Sequence, residues 1–124
     1  MLLAARVAAA LVAVLHLAFF WMESFAWRRY ARPAFGVPEE HVETLAPAMS
    51  NQGFYNAILA AALLMGALWY QPGLAWSYRV FFLSAAALAG LWGAATVNPR
   101  IFLVQSVPSL VALALTLLAG KGLP

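Results

Sequence analysis

The sequence predicts an all-α integral membrane protein, a bundle of four transmembrane helices with a short interfacial helix between the first and second. Three observations predict it. The chain has 124 residues, of which 65% are hydrophobic and 9% charged, where an ordinary soluble domain is about half apolar and about a quarter charged. A short soluble chain hides the smallest fraction of its surface, whereas lipid solvates an apolar exterior. Apolar runs of the roughly 20 residues needed to cross a bilayer occur four times, at residues 3–27, 48–69, 76–97 and 101–119, within one domain covering residues 1–124.

The first run follows Arg6 and continues through Phe19, Phe20 and Trp21 with no small-residue cleavage site. It reads as an uncleaved span rather than a signal peptide. The connection from Arg28 to Pro47 opens with Arg28, Arg29 and Arg32 and continues as VPEEHVETLAP. Pro38 followed by Glu39 and Glu40 suits a helix start, so a short interfacial helix is expected over residues 39–45. The second run ends at Gln71-Pro72-Gly73 and the third at Asn98-Pro99-Arg100. Proline restricts its predecessor and cannot continue a helix, so both are stops. Trp27, Tyr30, Trp69, Tyr70, Trp76 and Tyr78 fall where hydropathy ends the spans, as an aromatic belt at the water interface would.

The third run contains AAALAGLWGAA, with small residues four apart at Ala86 and Gly90 and at Ala89 and Gly93. That spacing lets helix backbones approach closely, within one bundle or across a homodimer seam. The net charge is +3 and no cysteine is present. The charge is scattered, which argues against a nucleic-acid partner and suits anionic lipid headgroups. Without cysteine, disulfides and thiolate metal sites are excluded. No motif calls for a nucleotide, flavin or metal, and no cofactor is expected. With both termini on one face, Arg28, Arg29, Arg32 and Arg100 gather on the opposite face, which leans cytoplasmic by the positive-inside rule.

Depth singles out the polar residues. At about 1.5 Å of rise per residue, Glu23, Asn51, Gln52, Asn56, Asn98 and Gln105 all fall toward the face opposite the termini. His16 and Glu23 are seven apart and share a helix face, as do Gln52 and Asn56, four apart. Unpaired polar groups do not face acyl chains cheaply, so these residues are expected to point inward as one pocket. Asn56 and Gln105 taken singly suit interhelical hydrogen bonding, and Asn98 suits a turn before proline. His16 lacks a second intramembrane histidine to complete an axial pair, so it reads as an interior histidine and not a metal or haem ligand. Glu23 is the acidic residue within the spans, and an intramembrane ionisable group is a functional candidate by default. Its structural alternative is an ion pair with Arg28, Arg29 or Arg100.

The segments HLAFFWMESFAW, FGVPEE, NQGFYNAILAAALL and VQSVPSLVALAL resemble a family of small bacterial membrane proteins catalogued as a domain of unknown function, number thirteen-zero-four. The resemblance implies a four-helix protein of this size in the bacterial inner membrane and carries no activity with it. The site therefore rests on the depth argument. Glu23 is the expected acid or base, with Asn51, Gln52, Tyr55, Asn56, Gln105, His16 and Trp21 binding a small lipophilic molecule, and no metal. Two other functions stay open. One is proton-coupled export of a lipophilic cation, as in small multidrug transporters, although Glu23 lies off-centre for that. The other is a non-catalytic structural or accessory subunit whose polar cluster fixes helix register.

Overall fold

The computed structural model describes residues 1–122, and every regular element within them is helical. Helix α1 (Leu2–Phe20) runs into a π-helical turn, Trp21–Phe25, and a short helix α2 (Trp27–Tyr30) follows. Helix α3 spans Glu39–Leu68, α4 spans Pro72–Thr96, and a second π-helical turn, Phe102–Ser106, leads into α5 (Val107–Ala119). Three stretches are long and apolar enough to cross a membrane: Leu2–Phe25, Pro72–Thr96 and Phe102–Ala119. In α3 the apolar run is diluted by Glu39, Glu40, Glu43, Asn51, Gln52 and Asn56. The stops at Gln71-Pro72 and Asn98-Pro99 fall where expected. Asn98 makes its turn by accepting the Arg100 amide on Oδ1 at 2.9 Å.

One expectation needs correction. Residues 39–45 are not a separate interfacial helix, and the connection does not last until Pro47; both belong to the 30-residue helix α3, with Pro47 inside it. A proline in a helix interior removes one hydrogen bond and costs about 3 kcal/mol. Here the preceding turn is held from outside. The Trp27 indole donates to the Val42 carbonyl at 2.8 Å, and the Arg28 guanidinium donates twice to the Glu43 carboxylate, at 2.6 and 2.9 Å. Ala46 and Met49 pack against the buried Trp27, Ala31 and Val42. The same contacts bury the ring of Trp27 in this small core.

The chain divides into two compact units, Val14–Ala60 and the combination of Met1–Ala13 with Ala61–Pro124. Within Val14–Ala60, the reversal between α2 and α3 depends on Gly36, at φ 67°. The Gly36 and Val37 amides donate back to the Arg32 and Ala31 carbonyls at 3.0 and 2.9 Å. This paired bonding around a left-handed residue satisfies carbonyls that a helix end would otherwise orphan. A side chain is unfavourable in that conformation, which is why glycine stands there.

Within the other unit, α4 packs against the second π-helical turn and α5. Gly90 makes this possible, since a Cβ there would collide with Ser106 Oγ and lie 2.8 Å from the Ser106 amide nitrogen. Gly93 faces Ile101 less tightly, a Cβ there standing 3.1 Å from the Ile101 Cγ2. The small residues of the third run thus serve an intramolecular seam. A hydroxyl supplies a polar contact there, Ser106 donating to the Ala87 carbonyl at 2.8 Å, while Thr116 donates within α5 to the Ala112 carbonyl at 2.8 Å.

Candidate functional site

The candidate site lies within Val14–Ala60, and the π-helical turn at Trp21–Phe25 positions it. In that turn the Ala26 amide reaches back five residues to the Trp21 carbonyl, at 3.0 Å. Such turns insert one residue into the helical register and recur at functional sites. Glu23 sits in the middle of the turn and is buried, 6% exposed. Asn56 of α3, 8% exposed, donates from Nδ2 to Glu23 Oε2 at 2.9 Å.

Gly53 brings the two segments this close. It lies one helical turn before Asn56 on the same face of α3. A Cβ on Gly53 would collide with Ser24 Oγ and stand 3.1 Å from Glu23 Cβ and 3.2 Å from the Phe20 carbonyl. Ser24 fixes the approach by donating to the Ser50 carbonyl at 2.9 Å. Neither Ser24 nor Gly53 was singled out by sequence reasoning. The available signal was adjacency: Ser24 follows Glu23, and Gly53 precedes Asn56 by one turn.

Glu23 also borders an open cleft of about 490 Å³, lined by Ser24, Phe25, Trp27, Ala46 and Ser50 among others. Arg28 and Arg29 line it as well. Arg28 is engaged by Glu43, and Arg29 lies over the Tyr30 ring at 5.5 Å from its centroid. The ion pairs among the described residues are Arg28–Glu43 and Arg32–Glu39, so the lining arginines do not neutralise Glu23. Its observed neighbour is a neutral amide. A carboxyl held this way retains both a proton-exchanging group and access to the cleft, which suits acid–base work or recognition of a polar head on an apolar molecule.

The remaining expected residues are placed as follows. His16 is fully buried on α1 and meets the Phe19 ring edge-on, centroids 5.5 Å apart. Trp21 and Tyr55 are 58% and 62% exposed, so neither lines an interior pocket with Glu23. Asn51 and Gln52 are also exposed, because the register that turns Gly53 and Asn56 inward turns them outward. Gln105 belongs to the other unit. It lies half-buried in the second π-helical turn, where its backbone carbonyl accepts the Ser109 hydroxyl at 2.7 Å. Of the expected set, Glu23 and Asn56 are the pair in direct contact.

No match was found among curated proteins or among solved structures. Over residues 10–117 the chain matches the family described as "Protein of unknown function (DUF1304)", a span that includes Glu23, Gly53 and Asn56. With the match running from α1 to near the end of α5, this chain belongs to that family.

Proposed function

We propose that the chain crosses a bacterial inner membrane four times and that the Glu23–Asn56 pair is the polar centre of a site for a small lipophilic molecule, which the Glu23 carboxyl converts by proton transfer. The second crossing in this reading is residues 48–69, whose later part, from Ala57 to Leu68, is apolar. The observation that carries the site is the buried Asn56-to-Glu23 hydrogen bond of 2.9 Å beside the cleft. Burying a carboxyl is costly unless its partners compensate, and one amide beside a cleft is an arrangement with room left for a ligand. Phe25 and Trp27 supply apolar wall, while Glu23, Ser24 and Ser50 supply the polar groups that would orient a head group.

The test compares the wild-type chain with Glu23→Gln, which keeps the size and hydrogen bonding of the side chain and removes its exchangeable carboxyl proton. Both are purified from the same membranes, and their solvent extracts are compared by mass spectrometry. A lipophilic compound enriched with the wild type, and either lost or accumulating unconverted with Glu23→Gln, is the expected result. Identical extracts, together with equal melting temperatures, would reduce Glu23 to a register-fixing residue. The four crossings are tested separately. The chain lacks cysteine, so single cysteines at Gly36 and Gly73 should react with impermeant reagents from opposite faces of the membrane.

A further inference from the structure

Among its described residues, the unit formed by Met1–Ala13 and Ala61–Pro124 buries a positive charge without an acidic side chain. Arg79 of α4 is completely buried. Its Nη1 donates to the Gly66 carbonyl at 2.6 Å, near the end of α3, while Nε and Nη2 are buried with no hydrogen-bond partner among the described residues. Arg6 reaches the same helix end, donating from Nη2 to the Trp69 carbonyl at 3.3 Å, and its Nε is likewise buried and unpartnered. The indole N–H groups of Trp69 and Trp76 are also buried and unpartnered, and Trp76 lies three residues from Arg79, on the same side of α4. Lys121 adds a further positive charge over the Trp76 ring, 5.5 Å from its centroid.

Every carboxylate side chain in the sequence, at Glu23, Glu39, Glu40 and Glu43, is carried by Val14–Ala60. The unit that buries Arg79 therefore has no acidic side chain to offer it. Capping the end of α3 explains one N–H of each arginine, since a helix C-terminus attracts cations. It leaves Nε of Arg6 and Nε and Nη2 of Arg79, part of each guanidinium donor set, without a function. A buried charge is tolerated when it is paired and hydrogen-bonded. Five buried donor atoms from four side chains, Nε of Arg6, Nε and Nη2 of Arg79 and the two indole nitrogens, could be taken up by the three or four acceptor oxygens of a tetrahedral oxyanion.

We propose that Arg6, Arg79, Trp69 and Trp76 form a binding site for a phosphate-type oxyanion. Arg79 lies about 10 Å along α4 from its start, toward one end of a helix long enough to cross a bilayer. The anion is therefore either the phosphodiester of an anionic lipid or free phosphate. The site is separate from the Glu23 reading and stands or falls without it.

The experiment uses the full chain in a neutral maltoside detergent. One arm adds inorganic phosphate, a second adds micelles doped with phosphatidylglycerol, and a third adds a diacylglycerol of the same acyl chains as a phosphate-free control. Melting temperature and tryptophan emission are read in each. A rise of about 5 °C at saturating anion, with a shift in emission, is expected with phosphate or phosphatidylglycerol and not with diacylglycerol. Stabilisation by phosphate identifies a free anion as sufficient; stabilisation by phosphatidylglycerol alone identifies the lipid. Arg79→Gln and Arg6→Gln should each weaken the apparent affinity at least tenfold, and Trp76→Phe, which keeps the ring and removes the N–H, about threefold. If Arg79→Gln does not fold, Arg6→Gln and Trp76→Phe decide. A wild-type protein that responds equally in all three arms, or arginine variants that respond like the wild type, would overturn the proposal.

Discussion

The two units differ in whether side chains bond to one another. In Val14–Ala60, beside bonds from Trp27 and Ser24 to backbone carbonyls, side chains also bond to side chains: Asn56 to Glu23 in the interior, and Arg28 to Glu43 and Arg32 to Glu39 at the surface. In the unit built from Met1–Ala13 and Ala61–Pro124, the described side-chain donors bond instead to backbone carbonyls, Ser106 to Ala87, Thr116 to Ala112, Arg79 to Gly66 and Arg6 to Trp69. A helix fixes its own carbonyls, so a bond to one is a local and permanent feature of packing. A carboxyl and an amide on separate segments hold each other only while both backbones stay in place, and the carboxyl can change its protonation. The first kind of contact locks a seam; the second can answer to a ligand. That contrast is why the acid–base reading attaches to Glu23 and the anion reading to unpartnered donors on arginine.

The contrast is tested most severely at the glycines that allow each approach. Gly90→Val should destabilise by about 3 kcal/mol, because its Cβ would press on the Ser106 backbone nitrogen as well as on Ser106 Oγ. Backbone cannot step aside as a side chain can. Gly53→Ala should lose less, about 1–2 kcal/mol, since its first clash is with Ser24 Oγ, which can rotate away by giving up its bond to Ser50. Reversible unfolding in mixed detergent measures both. Equal losses would show that the two seams are alike and that the contrast is one of bonding pattern only.

Next in size is the buried pair itself. Asn56→Leu removes the donor and leaves the carboxyl buried, so a loss of about 2 kcal/mol is expected. Adding Glu23→Leu to it should restore much of that loss, because an apolar pair can replace a buried polar one at little cost. A double-mutant cycle in the same unfolding assay gives the coupling. Ser106→Ala, on the other side of the comparison, should cost about 1 kcal/mol and should not couple to either residue. Coupling between Ser106 and Glu23 would dissolve the distinction between the units.

Much of this architecture was legible because it depends on composition and on chain breakers. The apolar runs and the Pro72 and Pro99 stops mark the long helices to within a few residues, since proline acts through its own ring and needs no partner. Pro47 misled for the opposite reason. Its local preference is overridden by Trp27 and Arg28, which lie in another segment and grip the turn before it. The π-helical turns were not legible either, yet both hold residues that depth had selected, Glu23 in WMESF and Gln105 in FLVQS. A π turn costs one residue of register, so extrapolating a face from spacing fails beyond it. Asn56 could be chosen from its residue type and depth, whereas the exposure of Asn51, Gln52 and Tyr55 depended on the rotation of α3, which is set by the glycine contact at residue 53.

The smallest expected effect belongs to the exposed ion pair of Arg28 and Glu43, whose side chains are 74% and 68% exposed. The hydrogen bond from the Arg28 guanidinium, reinforced by its charge and opposed by slight desolvation, holds the Glu43 carboxyl below the usual carboxylate range. A carboxyl whose value is lower in the folded than in the unfolded state stabilises the fold fully above its unfolded value, about 4.3. That contribution is lost as pH falls through the lower folded value. Melting temperature should therefore fall slightly more for the wild type than for Glu43→Gln between about pH 5 and about pH 3, and the difference should shrink in high salt, which screens exposed charges. The pair also braces the turn ahead of Pro47. If Glu43→Gln instead lowered stability strongly at neutral pH, the pair would be holding α3 together across its proline, and the continuity of that helix would depend on a charge at the surface more than on Trp27 beneath it.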